Sequence, residues 1–93
     1  MNLASMNFYI GSDFMIDRIV GNKVIGIKQC TKSILNGRGT ILYVAKDADC
    51  NLTNSLIELA NEKKVKIIII NTMKELGKMC GIDVKASSVL ILD

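Results

Sequence analysis

The chain has 93 residues, 49% hydrophobic and 23% charged, with a net charge of +3 and a mean hydropathy of +0.32. That length holds one hydrophobic core at a radius of gyration of roughly 12 Å, which argues against a two-domain enzyme with an interdomain cleft, and the apolar content excludes a disordered tail. Its notable apolar run, Ile67 to Ile70, falls far short of the ~20 residues of a membrane helix, and the first seventeen residues lack Lys and Arg, so no secretory n-region is recognised and a cytoplasmic protein is expected.

Met1 to Gly11 is the least interpretable stretch. From Ser12 or Asp13, the apolar residues Phe14, Ile16, Ile19 and Val20 suit a short amphipathic helix stopped at Gly21-Asn22. Val24-Ile25 reads as a very short strand, and Gly26 opens a helix to about Asn36 that the Gly37-Arg38-Gly39 turn ends. Ile41 to Ala45 is a second strand. Asp49 or Asn51 can cap a helix whose Leu52, Leu56, Leu59 and Ala60 share a face, with Lys63 and Lys64 favourably placed at its C-terminal end.

Lys66 to Ile70 is a continuous β-branched run, the pattern of a strand covered by helices on both faces. Thr72 to Glu75 forms a capping box opening a helix that Gly81 terminates, and Ser88 to Leu92 is a last strand. The alternation predicts an α/β protein, a three-layer α/β/α sandwich around a small four-stranded sheet, mixed or parallel.

Charge is sorted along the chain. Arg18 to Lys46 holds six cations and no acid, whereas Asp47 to Glu62 holds four acids and no cation. Pairing between the two stretches is one explanation, and contact with a polyanion is the other. Cys30, Cys50 and Cys80 form no Cys-x-x-Cys pair, and no histidine is present. Three buried thiols are expected, with no zinc site, no histidine-based triad and no cofactor.

On a helix opening at Gly26, Ile27, Cys30 and Ile34 fall on one side, and Lys28, Gln29, Lys32 and Asn36 share a quadrant opposite. A lysine in the first turn opposes the helix dipole and costs a few tenths of a kcal/mol. A bound phosphate reverses that sign by accepting the free N–H groups and attracting both lysines. Gln29 brings the donor and acceptor that can read a base edge, and Gly26 lets an RNA backbone come close.

Three blocks carry a likeness: Val24-Ile25-Gly26-Ile27-Lys28-Gln29-Cys30-Thr31-Lys32, Val44-Ala45-Lys46-Asp47-Ala48-Asp49, and Glu75-Leu76-Gly77-Lys78-Met79-Cys80-Gly81-Ile82-Asp83-Val84. In this order and spacing the chain resembles the L7Ae/L30e family of ribosomal proteins over about residues 16 to 93, in particular small bacterial members that bind kink-turn RNA. The resemblance implies an α/β/α sandwich that recognises an internal bulge flanked by tandem sheared G·A pairs.

Carried over, Gly26, Lys28, Gln29 and Lys32 match the helix start that contacts the G·A pairs and phosphates. Asp49 matches an acidic position touching the extruded nucleotide, and Ile82, Asp83 and Val84 match the loop that covers it. Archaeal and eukaryotic relatives carry Asn-Glu where this chain has Lys28-Gln29, so the donor pattern at the G·A pairs differs. Gly77 also reads as a glycine needed for close helix packing.

Residues 1 to 14 exceed the usual family start and read as an N-terminal extension, with 15 to 93 as one RNA-binding domain. The expected partner of this monomer is a structured RNA with a kink-turn, in the ribosome or elsewhere, with no membrane and no metal. The other classes weighed are a protein–protein adaptor on the same fold and a small nucleotide-binding enzyme. Gly37 and Gly39 lack the lysine context of a phosphate-binding loop, and Asp47 with Asp49 is too small a set to define a metal site.

Overall fold

The computed structural model describes residues 8–10 and 22–92. In chain order these form β1 (Phe8–Ile10), β2 (Lys23–Ile25), α1 (Ile27–Leu35), β3 (Ile41–Ala45), α2 (Cys50–Glu62), β4 (Lys66–Ile70), α3 (Met73–Met79) and β5 (Ser88–Ile91). The helix expected before Gly21, and the rest of the proposed extension, lie outside the described residues.

The sheet runs β1-β4-β3-β5-β2. β3 and β4 pair in parallel from Ile41 opposite Lys66 to Ala45 opposite Ile70, and β5 runs antiparallel to both β3 and β2. The four expected strands thus form the expected mixed sheet. β1 adds a short parallel edge, with Phe8 opposite Ile67; its segment belongs to the stretch that sequence left uninterpreted.

Alternation along the strands divides the core between two faces. Leu42, Val44 and Ile67 pack with Cys30 and Ile34 of α1 and with Leu56, Ile57 and Ala60 of α2. Tyr43, Ala45 and Ile70 pack with Leu76 and Met79 of α3 on the other face. Helices on both faces make the α/β/α sandwich, and they explain why β4 is a run of isoleucines rather than an alternating strand. Among the described residues, no helix is long and apolar enough to cross a membrane.

The helix ends follow local chemistry. The Asp49 carboxylate accepts the Asn51 N–H at 2.9 Å and caps α2, and the Thr72 hydroxyl oxygen accepts the Glu75 N–H at 3.0 Å and caps α3. At the end of α2, the Lys64 N–H donates to the Asn61 carbonyl and the Val65 N–H to the Ala60 carbonyl. That pair is a Schellman motif, which calls for a left-handed residue at position 64, and Lys64 adopts φ 61° where glycine is usual.

The expectation of three buried thiols needs correction. Cys30 is fully buried, Cys80 is half-buried, and Cys50 is exposed because it opens α2 at the surface. Burial pushes the Cys30 thiol up to about 11, although the Ser88 hydroxyl that donates to its sulfur at 3.6 Å acts in the opposite sense.

Candidate nucleic-acid interface

The turn from β2 into α1 is the single residue Gly26, at φ 102° and ψ 153°. Its N–H donates to the Ser88 carbonyl at 2.9 Å, and its own carbonyl accepts the Cys30 N–H at 3.0 Å, the first bond of the helix. Ser88 is fully buried, and the Cys30 thiol donates weakly to the Val24 carbonyl at 3.7 Å. This network pins the start of α1 onto β5 and β2 from inside.

A Cβ built on Gly26 meets no atom within 4 Å. Side-chain crowding therefore does not require the glycine; the backbone conformation does, since this region of φ and ψ is nearly closed to other residues. The same open space lets a partner approach the backbone closely.

α1 begins without a side-chain cap and without an acid in its first turn. The N–H groups of Ile27, Lys28 and Gln29 precede the first intrahelical bond, so the helix end presents donors and partial positive charge. Lys28, Gln29 and Lys32 are exposed, while Cys30 and Ile34 face the core, as the spacing predicts. No ion pair joins the described cations of the basic stretch to Asp47, Asp49, Glu58 or Glu62.

Beside this helix start lies a cavity of about 280 Å³, bounded by Ile27, by Ala48, Asp49, Leu52 and Thr53 at the start of α2, by Met73 at the start of α3, and by Ser87. Its walls are mostly apolar. Leu52, expected on the core face of α2, is instead 52% exposed and borders this cavity, while Leu56 and Ala60 are buried as expected. The helical face runs one turn past the core, and its end is left for the cavity.

Asp49 thus stands close to Ile27 at the start of α1. Ile82, Asp83 and Val84 line a different cavity, of about 380 Å³, together with Lys74, Lys78 and Lys85. Ile82 packs partly against the α3 side of the core, whereas Val84 is 68% exposed and is no core residue. Gly77 is where the loop meets α3. A Cβ there would overlap the Val84 carbonyl oxygen, and the Ile82 N–H donates to the Gly77 carbonyl at 3.1 Å. Close packing therefore demands this glycine.

Sequence reasoning assigned no structural role to Asp47. Its carboxylate accepts the Met73 N–H at 2.7 Å and ties the β3–α2 loop to the start of α3, joining two walls of the smaller cavity. The bond spans 26 positions along the chain, and the only local signal is an acidic residue in a loop.

Fold and surface together define an α/β/α domain with an open, basic helix start beside an apolar cavity. The chain belongs to the ribosomal protein L7Ae/L30e/S12e/Gadd45 family, whose model matches residues 18–93. An RNA-binding protein of Caldanaerobacter subterraneus is 43% identical over 74 residues, covering 80% of this chain and 90% of that protein. An RNA-binding protein of Bacillus pumilus is 46% identical over 69 residues, 74% of this chain and 84% of the relative. The large ribosomal subunit protein eL8 of Halobacterium salinarum is 30% identical over 78 residues, 83% of this chain and 65% of its own length.

Among solved structures, a 15.5 kDa RNA-binding protein of Giardia lamblia superposes with a TM-score of 0.72 at 22% identity, over 76% of this chain and 60% of the other. At that identity the likeness concerns the fold.

Proposed function

We propose that this chain is an RNA-binding protein, without chemistry of its own, that recognises kink-turn motifs in ribosomal or other structured RNA. The observation that carries this reading is the uncapped start of α1, where Lys28, Gln29 and Lys32 are exposed next to a cavity reaching Asp49. A kinked RNA crowds its phosphates and turns a base out of the stack. A compact cationic helix end and an apolar recess beside it stabilise those two features together. The relatives named as RNA-binding proteins support the same class of partner.

In this reading Gly26 allows the backbone approach, Lys28 and Lys32 hold phosphates, and Gln29 meets a G·A edge. The extruded nucleotide enters the cavity at Ile27, Asp49 and Leu52, while Ile82, Asp83 and Val84, which line the neighbouring cavity, meet the RNA from the α3 side. Residues 15–93 act as one monomeric cytoplasmic domain. Salt titrations of binding to a kink-turn hairpin test the assignment. Lys28→Ala and Lys32→Ala each weaken binding and lower the slope of log K against log salt by about one unit. An unchanged slope in both variants would remove α1 from the interface.

A further inference from the structure

The larger cavity, about 380 Å³, lies between α3 and the loop after it. Lys74 and Lys78 are four residues apart, so both leave α3 on one side, and Lys85 approaches from the loop. All three lysines are exposed, and none is ion-paired among the described residues. Asp83 offsets one charge, leaving an excess of two on a recess whose lysines the proposed RNA contacts do not yet use. Like charges one turn apart weakly oppose the helix, and a bound anion offsets that repulsion.

This groove adjoins the apolar cavity. Met73 borders the apolar cavity and Lys74, the next residue, lines the basic one; Ser87 and Lys85 are divided in the same way. The partition between them is the bond from the Ala86 N–H to the Met73 carbonyl, 3.0 Å long. An RNA with a base in the first cavity would have its adjoining phosphates on the side of the second. The groove is also preformed, because Gly77 allows the loop to pack directly on α3.

We propose that Lys74, Lys78 and Lys85 form a second phosphate-binding groove, which holds the sugar–phosphate backbone continuing from the extruded nucleotide. The proposal rests on the RNA-binding reading above and extends the footprint beyond α1 to the far side of the cavity.

The test measures Kd against salt for the full chain on a kink-turn hairpin and on the same hairpin with its G·A pairs disrupted. Wild type is compared with the triple variant Lys74→Gln/Lys78→Gln/Lys85→Gln, with each single variant, and with a charge control, Lys63→Gln/Lys64→Gln, at the end of α2. The triple variant is expected to lower the slope by about two units and weaken binding at least tenfold at low salt, with single variants in between; the control is expected to change the slope by less than about half a unit. A triple-variant slope equal to wild type, or a control that loses as much, overturns the groove. If wild type binds both RNAs equally, the kink-turn reading falls, while the slope difference on either RNA still decides the groove. If wild type binds neither, both fall.

Discussion

Replacing Gly26 by alanine separates backbone conformation from packing, because the new methyl group meets no atom within 4 Å while the residue must hold φ 102° and ψ 153°. Forcing a non-glycine residue into such a region costs about 1–3 kcal/mol, and the stiffer unfolded chain offsets about 0.4–1 kcal/mol of it. The net loss is then about 1–2 kcal/mol, and for a domain of this size each kcal/mol lowers Tm by about 4–8 °C. Thermal unfolding followed by far-ultraviolet circular dichroism should show a fall of roughly 5–15 °C. The same strain tilts the first turn of α1, so RNA affinity should fall at temperatures where the variant remains folded. A Tm within 1 °C of wild type would refute the argument that conformation, rather than contact, selects glycine here.

Gly77→Ala should destabilise by about 1–2 kcal/mol in a denaturant titration, although helix propensity alone favours alanine by about 1 kcal/mol; the overlap with the Val84 carbonyl is the larger effect, and a gain in stability would contradict it. Lys64→Gly should stabilise by about 0.5–1 kcal/mol, because φ 61° suits glycine, and denaturant midpoints would show it. The Cys30 pKa is raised by burial from 9.0 to about 11, so its contribution is complete below pH 9 and is lost as pH rises toward 11, where the unfolded thiol ionises first. Stability measured across that window should fall by about 2–3 kcal/mol through this group, and Cys30→Ala should flatten that part of the profile. A thiol reagent at neutral pH should modify Cys50 first and Cys30 only after unfolding.

Strands β3 and β4 were legible to the residue because each is a continuous β-branched or apolar run whose C-terminal end is marked by a polar residue, Lys46 and Asn71. The caps at Asp49 and Thr72 and the opening of α1 followed from short-range hydrogen bonding that sequence spacing encodes. β1 was not legible, since three residues carry no period and their pairing comes from β4 far along the chain. Leu52 shows the limit of periodicity, which finds the apolar face of α2 but not where the core beneath it ends. The structural role of Asp47 was not legible because its partner is a backbone N–H at the start of α3, 26 positions away.

The candidate site divides along the same line. The exposed face of α1 follows from a 100° step per residue, so Lys28, Gln29 and Lys32 could be grouped from sequence. Asp49 and the residues Ile82 to Val84 could be joined only through the family resemblance. In three dimensions they line neighbouring cavities divided by the Met73–Ala86 bond. How closely the loop after α3 packs back on that helix depends on the contact at Gly77, and residue types alone do not encode it.

The most direct test of kink-turn recognition is a filter-binding titration of the full chain against a kink-turn hairpin and against the same hairpin with its tandem G·A pairs replaced by Watson–Crick pairs. Shape recognition predicts at least tenfold tighter binding to the kinked RNA at one fixed salt concentration, a difference of about 1.4 kcal/mol or more. Equal affinity for the two hairpins would contradict it.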